Sequence, residues 1–260
     1  MGPFTVFVPT DEAFGVLPAK LVSDLRADPE KLKEVLLNHV VAGTTLSTAF
    51  TESDAVVTAN GGKTLRINRY QLAPSTPKIL TVNGARILKA DATATNGVIH
   101  FVNRVLYPYA EQTVVDIMFG CKIFEGVANL LIETNNIDKL SGPGPFTVLA
   151  PSTESINRIK SEIDEIVAND KDKAAAIMKY HLLNGTYFSE GLFDRQYLTT
   201  EADEGLSVSC AVTTDTFFKR LAGVNDVRVT KPDIVATNGV IHLLDGVLDP
   251  GSPLITCNLL

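Results

Sequence analysis

The chain has 260 residues, 45% of them hydrophobic and 20% charged, a balance that provides for a packed core and excludes a disordered chain. The formal net charge of −7 is unevenly placed: residues 1–108 carry 11 basic and 9 acidic side chains, residues 109–260 carry 12 and 21. No dense Lys/Arg run marks a nucleic-acid surface, and no stretch approaches the roughly 18 apolar residues of a membrane span.

Met1 is followed directly by GPFTVFVPTDEAF, which reads as a buried strand over Phe4–Val8 and not as a secretory leader. Thr10 is placed to cap a following helix whose first turn holds Asp11 and Glu12. Asp28 caps the next helix and Pro29 takes its first position, where a missing N–H costs nothing. Leu32, Val35, Leu36, His39 and Val40 fall on one face of that helix, and Gly43 is expected to end it. Short strands follow at Val56–Ala59, Lys63–Asn68, Lys78–Val82 and Ala85–Lys89, broken by Asn60-Gly61-Gly62, Pro74, Pro77 and Asn83-Gly84. Asn96-Gly97 has the composition of a tight hairpin turn with two positive φ angles. Val98–Val102 is apolar on both faces and is expected to be a central strand, closed by Leu106-Tyr107-Pro108.

Residues 112–140 read as two helices, one with the stripe Val114, Ile117, Met118 and Cys121, the other with Val127, Leu130 and Leu131. The opening grammar then recurs: a strand at Phe146–Ala150, Pro151, Ser152 as cap, and a stripe of Ile156, Ile159, Ile163, Ile166 and Val167. Asp170 caps a helix with Ala174, Ile177, Met178, His181 and Leu182 on one face, followed by Gly185. Strands are expected at Leu206–Val212, Val227–Thr230 and, after Asn238-Gly239, at Val240–Leu244, with Leu248-Asp249-Pro250 closing the segment.

The recurrence has one spacing. TNGVIH stands at 95–100 and 237–242 (237 − 95 = 142), GPFTV at 2–6 and 144–148 (144 − 2 = 142), and His39 matches His181 (181 − 39 = 142). The chain is a tandem duplication: residues 1–108, residues 109–250, and a tail at 251–260. Met1 aligns with Pro143, so residues 109–142 have no counterpart in the first copy. The first domain is therefore expected to lack its N-terminal helices and to expose part of its core.

FTVFVPTDEAF, the His-bearing helix and the closing TNGVIHFVNRVLYP together resemble the fasciclin-domain family of extracellular adhesion proteins, over essentially the whole chain. The resemblance implies an α+β fold, a curled β-sandwich of two small sheets with packed helices. It also implies secretion or cell-surface display, adhesion to integrins and matrix proteins such as collagen, a part in extracellular matrix organisation, no cofactor and no catalysis. Two integrin-binding motifs of the family carry over. Tyr180-His181, flanked by Ile177, Leu182 and Leu183, matches one, where the first copy has Asn38 in place of the tyrosine. Pro232-Asp233-Ile234 matches the other, where the first copy has Ala90-Asp91-Ala92. Arg-Gly-Asp is absent.

The residues themselves leave choices open. All four histidines (39, 100, 181, 242) sit in apolar patterns and read as buried, backbone-bonded scaffold more than as bases or ligands. Asp91 and Asp233 are expected to be exposed beside the hairpin, where a carboxylate could reach an integrin's metal ion or cap the local turn. Asn184-Gly185-Thr186 is a glycosylation sequon if the chain is secreted, and equally a helix stop. Cys121 and Cys210 read as small core residues; Cys257 lies in the tail, and an odd count of three leaves one unpaired. Gly142-Pro143-Gly144 precedes a strand, the wrong side for a phosphate loop, and the local metalloprotease, redox and serine-hydrolase motifs are missing. An adhesion protein is the leading reading. The alternative is a glycan-binding module of the hyaluronan type or a scavenger-receptor ectodomain, to which the acidic second domain offers no basic groove.

Overall fold

The computed structural model describes residues 2–51, 53–71, 77–108, 112–194, 196–212, 219–225 and 227–249. Pro74, Pro250, Cys257 and the rest of the tail lie outside them. The chain divides into two compact units, Met1–Tyr109 and Ala110–Leu260.

Unit 1 runs β1 (Phe4–Pro9), α1 (Asp11–Gly15), α2 (Ala19–Ala27), α3 (Pro29–Leu37), β2 (Val40–Ala42), β3 (Ala55–Thr58), β4 (Thr64–Tyr70), β5 (Ile79–Val82), β6 (Ala85–Ala94) and β7 (Gly97–Val102). Unit 2 begins with α4 (Val114–Gly120), α5 (Glu125–Glu133) and α6 (Ile137–Leu140). It then repeats the plan: β8 (Phe146–Pro151), α7 (Thr153–Arg158), α8 (Lys160–Asn169), α9 (Lys171–Tyr180), β9 (Leu182–Asn184), β10 (Tyr197–Thr199), β11 (Gly205–Val212), β12 (Lys219–Val224), β13 (Val227–Ala236) and β14 (Gly239–Leu244).

Among the described residues each unit holds one seven-stranded sheet, ordered β2-β1-β7-β6-β5-β4-β3 and β10-β11-β12-β13-β14-β8-β9. The first strand pairs parallel with the last, Phe4 opposite Gly97 and Phe146 opposite Gly239; the other pairings are antiparallel. The sheet curls until its edges meet. Val41 bridges to Ala59 in unit 1, and the Glu201 N–H donates to the Leu182 carbonyl at 2.8 Å in unit 2. The two-sheet sandwich is thus one ladder bent back on itself, an α+β fold in tandem.

Local chemistry explains the helix starts. Asp28 accepts the Lys31 N–H at 3.0 Å with Pro29 in the first turn, and Asp170 accepts the Lys173 N–H at 2.9 Å. Ser152 caps α7 through the Ser155 N–H at 3.0 Å, whereas Thr10 makes no side-chain cap bond. Three expectations are corrected. The His-bearing helices stop at Leu37 and Tyr180, because β2 and β9 begin at once; Gly43 and Gly185, at φ +90° and +91°, end those short strands. The isoleucine stripe breaks at Ile159 into α7 and α8. Asn96 and Asn238 do not take positive φ. Their glycine neighbours are required for another reason: a Cβ at Gly97 would stand 1.9 Å from the Phe4 carbonyl oxygen, and one at Gly239 2.4 Å from that of Phe146. Glycine lets the parallel partner strand approach.

The two units differ in what covers the helical face of the sheet. β8 and β14 are buried at every position, while β1 and β7 are buried only on alternate residues. In unit 2, Val114, Met118, Val127 and Leu131 pack against Val148, Ile177, Met178 and Ile241. Among the described residues of unit 1 no helix takes that place: Leu36 is 53% exposed where its counterpart Met178 is 3%, and Phe14 is 47% exposed where Ile156 is 6%. Full burial of two such side chains contributes on the order of 3 kcal/mol. Amide exchange on the intact chain should therefore be slower in β14 than in β7, by roughly a hundredfold; equal protection would contradict this reading.

A pinned bulge as the candidate functional site

The Tyr180-His181 pair faces inward. Tyr180 is 3% exposed and His181 0%. The tyrosine hydroxyl donates to the Gly205 carbonyl at 2.8 Å and accepts from the Asn225 amide at 2.7 Å, and burial raises its pKa. His181 donates from Nδ1 to the Ile177 carbonyl at 2.8 Å and accepts the Leu248 N–H on Nε2 at 2.9 Å. His39 does the same with Val35 and Leu106, at 2.8 and 2.9 Å. Each ring clips the closing segment of its unit onto a helix end, and only the neutral ring can do so. Burial accordingly lowers the pKa of both, that of His181 to about 4. Both family-matched side chains in this pair are held inside unit 2.

Pro232-Asp233-Ile234 lies just before the hairpin, as expected, but inside β13 and half-buried, not exposed. The pairing of β13 with β14 shifts register twice around Lys231, forming an irregular bulge with Asp233 in the left-handed region at φ +59°. Asp91 repeats this in β6 at φ +62°. Aspartate is among the few L-residues that tolerate this conformation.

The bulge is pinned from two sides. The Asp233 N–H donates to Nδ1 of His242 at 3.2 Å, and His242 Nε2–H donates to the Tyr187 carbonyl at 2.8 Å. The Asp233 carboxylate accepts the Ser189 N–H on Oδ1 at 2.8 Å and the Ser189 hydroxyl on Oδ2. In unit 1, Asp91 takes the Ser47 N–H at 2.7 Å and its hydroxyl at 2.5 Å, while His100 accepts from Asp91 N–H at 3.2 Å and donates to the Thr45 carbonyl at 2.9 Å. For Asp91, burial raises the pKa but the Ser47 bonds outweigh it, leaving the carboxyl below its ordinary range. Thr147 completes the frame in unit 2, donating to the Gly185 carbonyl at 2.7 Å and accepting the Tyr187 N–H at 2.9 Å.

Ser47 and Ser189 belong to no motif read from the sequence, and Thr5 and Thr147 lie in GPFTV with no part assigned to them. Their signal was available: Ser47 and Ser189, like Thr5 and Thr147, sit at the same 142-residue offset (189 − 47 and 147 − 5). Asn184 is exposed at the end of β9, with Thr186 buried beside it. Cys121 is exposed at the end of α4 and not in the core, since the helix stops at Gly120. Among the described residues no group of three His, Cys, Asp or Glu side chains is arranged to hold a metal ion.

This arrangement of two curled sheets, each with a histidine-pinned bulge, coincides with the family match: "Fasciclin domain" matches residues 1–108 and 123–250, and the chain belongs to the fasciclin-domain family. Among its relatives, Transforming growth factor-beta-induced protein ig-h3 of Sus scrofa is 29% identical over 96% of this chain and 35% of its own length. Periostin of Homo sapiens is 30% identical over 96% and 29%, and Stabilin-1 of Homo sapiens 26% identical over 96% and 10%. The chain thus spans about a third or less of these relatives. Among solved structures, "a FAS1 Domain Pair from the Insect Cell Adhesion Molecule Fasciclin I" aligns with a TM-score of 0.47 at 19% identity, covering 94% of this chain and 88% of that one.

The histidine geometry fixes a pH dependence. His181 has a folded pKa near 4 against an ordinary 6.5, so between those values the unfolded chain binds more protons than the folded one. Stability is full above about pH 6.5 and falls as pH drops toward 4. Denaturant titrations should show unit 2 losing about 2 kcal/mol between pH 7 and pH 5 from this ring alone. A flat profile over that range would refute the assignment.

Proposed function

We propose that the chain is a non-enzymatic extracellular adhesion module. Its contact surface is centred on the Pro232-Asp233-Ile234 bulge of unit 2, and its partners are integrins and matrix proteins such as collagen. The observation that carries this reading is the match of both units to the fasciclin domain, with 96% of the chain aligning to relatives such as periostin. The fasciclin-domain resemblance implies adhesion, and secretion or cell-surface display with it. In that setting the exposed Asn184 of the sequon is a glycosylation site, projecting from the end of β9.

The geometry supports the non-enzymatic reading and the choice of the bulge. All four imidazoles engage both ring nitrogens with backbone groups, so none stands ready as a general base. Pro232 and Ile234 flank the bulge in unit 2, where unit 1 has the smaller Ala90 and Ala92. Asp233 has a dual part: it shapes the ledge through Ser189, and it is the acidic group beside Ile234 that a receptor-bound cation would meet. Tyr180 and His181 act indirectly, by holding α9 and the closing segment in place.

The two units provide an internal control, because Asp91 and Asp233 make the same bonds. Asp233→Ala and Asp91→Ala should each destabilise their own unit, by on the order of 2 kcal/mol for the loss of a charge-assisted pair of hydrogen bonds. Cells should attach to the immobilised chain in a cation-dependent way, and only Asp233→Ala should weaken attachment, by several-fold. Undiminished attachment in EDTA would sink the integrin mechanism. Equal loss in both variants would move the contact surface away from the unit 2 bulge.

A further inference from the structure

We infer that Asn60-Gly61, at the seam of unit 1, is a site of spontaneous deamidation and isoaspartate formation. The chain holds five Asn-Gly pairs, at 60–61, 83–84, 96–97, 184–185 and 238–239. In such a pair the asparagine side chain is open to attack by the next backbone nitrogen, because glycine has no Cβ to shield that nitrogen or restrict its rotation. The Gly61 nitrogen bonds to Cγ of Asn60 and closes a succinimide ring, while the side-chain amide takes up the displaced proton and leaves as ammonia. Water then opens the ring. Addition at Cγ gives aspartate; addition at the main-chain carbonyl gives isoaspartate, in which the backbone runs through Cβ and Cγ. Water is the sole co-reactant and ammonia the sole by-product.

Ring closure needs a free side-chain amide and a following N–H that can turn toward it, and the pairs differ in both. Asn238 is bonded three ways: Oδ1 accepts the Val114 N–H at 2.9 Å, and Nδ2 donates to the carbonyls of Leu140 and Gly142 at 2.9 and 2.8 Å. Asn83 accepts the Arg66 N–H on Oδ1 at 2.7 Å, while its own N–H donates to the Arg66 carbonyl at 2.8 Å. Asn184 is exposed, but the Gly185 N–H is held by the Pro145 carbonyl at 2.9 Å. Asn96 is exposed too, but Gly97 is fixed within the sheet, opposite Ala94 on one side and Phe4 on the other. Asn60 has neither restraint. It is exposed in the turn between β3 and β4, and among the described residues neither its side-chain amide nor the Gly61 N–H has a hydrogen-bond partner.

The position gives the reaction a structural consequence. The Asn60 N–H donates to the Val40 carbonyl at 2.6 Å, and Ala59 bridges to Val41. The Ala59 and Gly62 N–H groups donate to the Lys63 and Ala59 carbonyls, each at 2.8 Å. These bonds close the curled sheet of unit 1. Gly61 also lies against the end of α3, where a Cβ would stand 3.6 Å from that of Leu37 and 3.7 Å from the Asn38 nitrogen. Isoaspartate lengthens the main chain between residues 60 and 61 by a methylene, so the turn no longer holds seam and helix end in register. The aspartate product leaves the backbone unchanged, and unit 2 already carries an acid at this place: Glu201, whose N–H donates to the Leu182 carbonyl at 2.8 Å. Isoaspartate is therefore the form that loosens unit 1.

The test ages the intact, unglycosylated chain in warm, mildly alkaline buffer and maps its peptides by mass spectrometry, with an isoaspartyl methyltransferase to label isoaspartate. Asn60 should convert several-fold faster than Asn83, Asn96, Asn184 and Asn238. In denaturant the five pairs should react at similar rates, because the fold is what separates them. Amide exchange in β2 and β3 should be faster in the fraction carrying isoaspartate at 60, and close to that of the fresh chain in Asn60→Asp. Gly61 has no positive φ and an added Cβ meets only ordinary contacts, so Gly61→Ala should fold and slow the conversion several-fold. Conversion of Asn60 no faster than that of Asn96 or Asn184 in the folded chain overturns the inference, as does a ranking that denaturant leaves unchanged. Unaltered exchange in the isoaspartate fraction overturns the assigned consequence.

Discussion

A neutral imidazole on the central strand is the constraint around which each unit is arranged. His242 in β14 and His100 in β7 are both essentially inaccessible to solvent, and each ring is bonded on both nitrogens. One nitrogen accepts the N–H of a left-handed aspartate in the neighbouring strand; the other donates to a carbonyl in the loop after the short strand. The aspartate then reaches that same loop with its carboxylate, two residues farther on. A bulge, a loop and the central strand are thus fixed by a single ring. A charged ring would lose its acceptor nitrogen, and burial lowers the pKa of His242 accordingly.

The duplicated latch separates scaffold from function. Both units keep Ser, Asp, His and Thr at equivalent positions with nearly equal distances, so these residues account for the fold that the units share. What differs is the surroundings: Pro232 and Ile234 against two alanines, Tyr180 against Asn38, and a covered helical face against an open one. The adhesive surface is assigned where unit 2 departs from unit 1, at the bulge.

Much of this was legible in the sequence because the signals were local. Asp28-Pro29 and Asp170 announced their helices, and the 142-residue offset announced the duplication. The buried, backbone-bonded histidines followed from their apolar neighbours. Two of the misreadings share a cause, which is that the deciding partner is distant in sequence. Asn-Gly at 96–97 looked like a turn with two positive φ angles, but its glycine answers to Phe4, some ninety residues earlier. Asp233 looked exposed because Ser189, 44 residues away, cannot be seen from its neighbours. The isoleucine stripe continued through Ile159 on paper, although that residue ends one helix and precedes the next. Periodicity does not report a bulge either, because the extra residues shift pairing without changing composition.

The most direct test is the protonation state of the four rings, read from long-range ¹H–¹⁵N spectra of the labelled chain at pH 6. The account predicts two tautomer classes. His39 and His181 carry the proton on Nδ1, where they donate to a helix carbonyl; His100 and His242 carry it on Nε2, where they donate to a loop carbonyl. A charged ring at His181 or His242, or one tautomer common to all four, would contradict it.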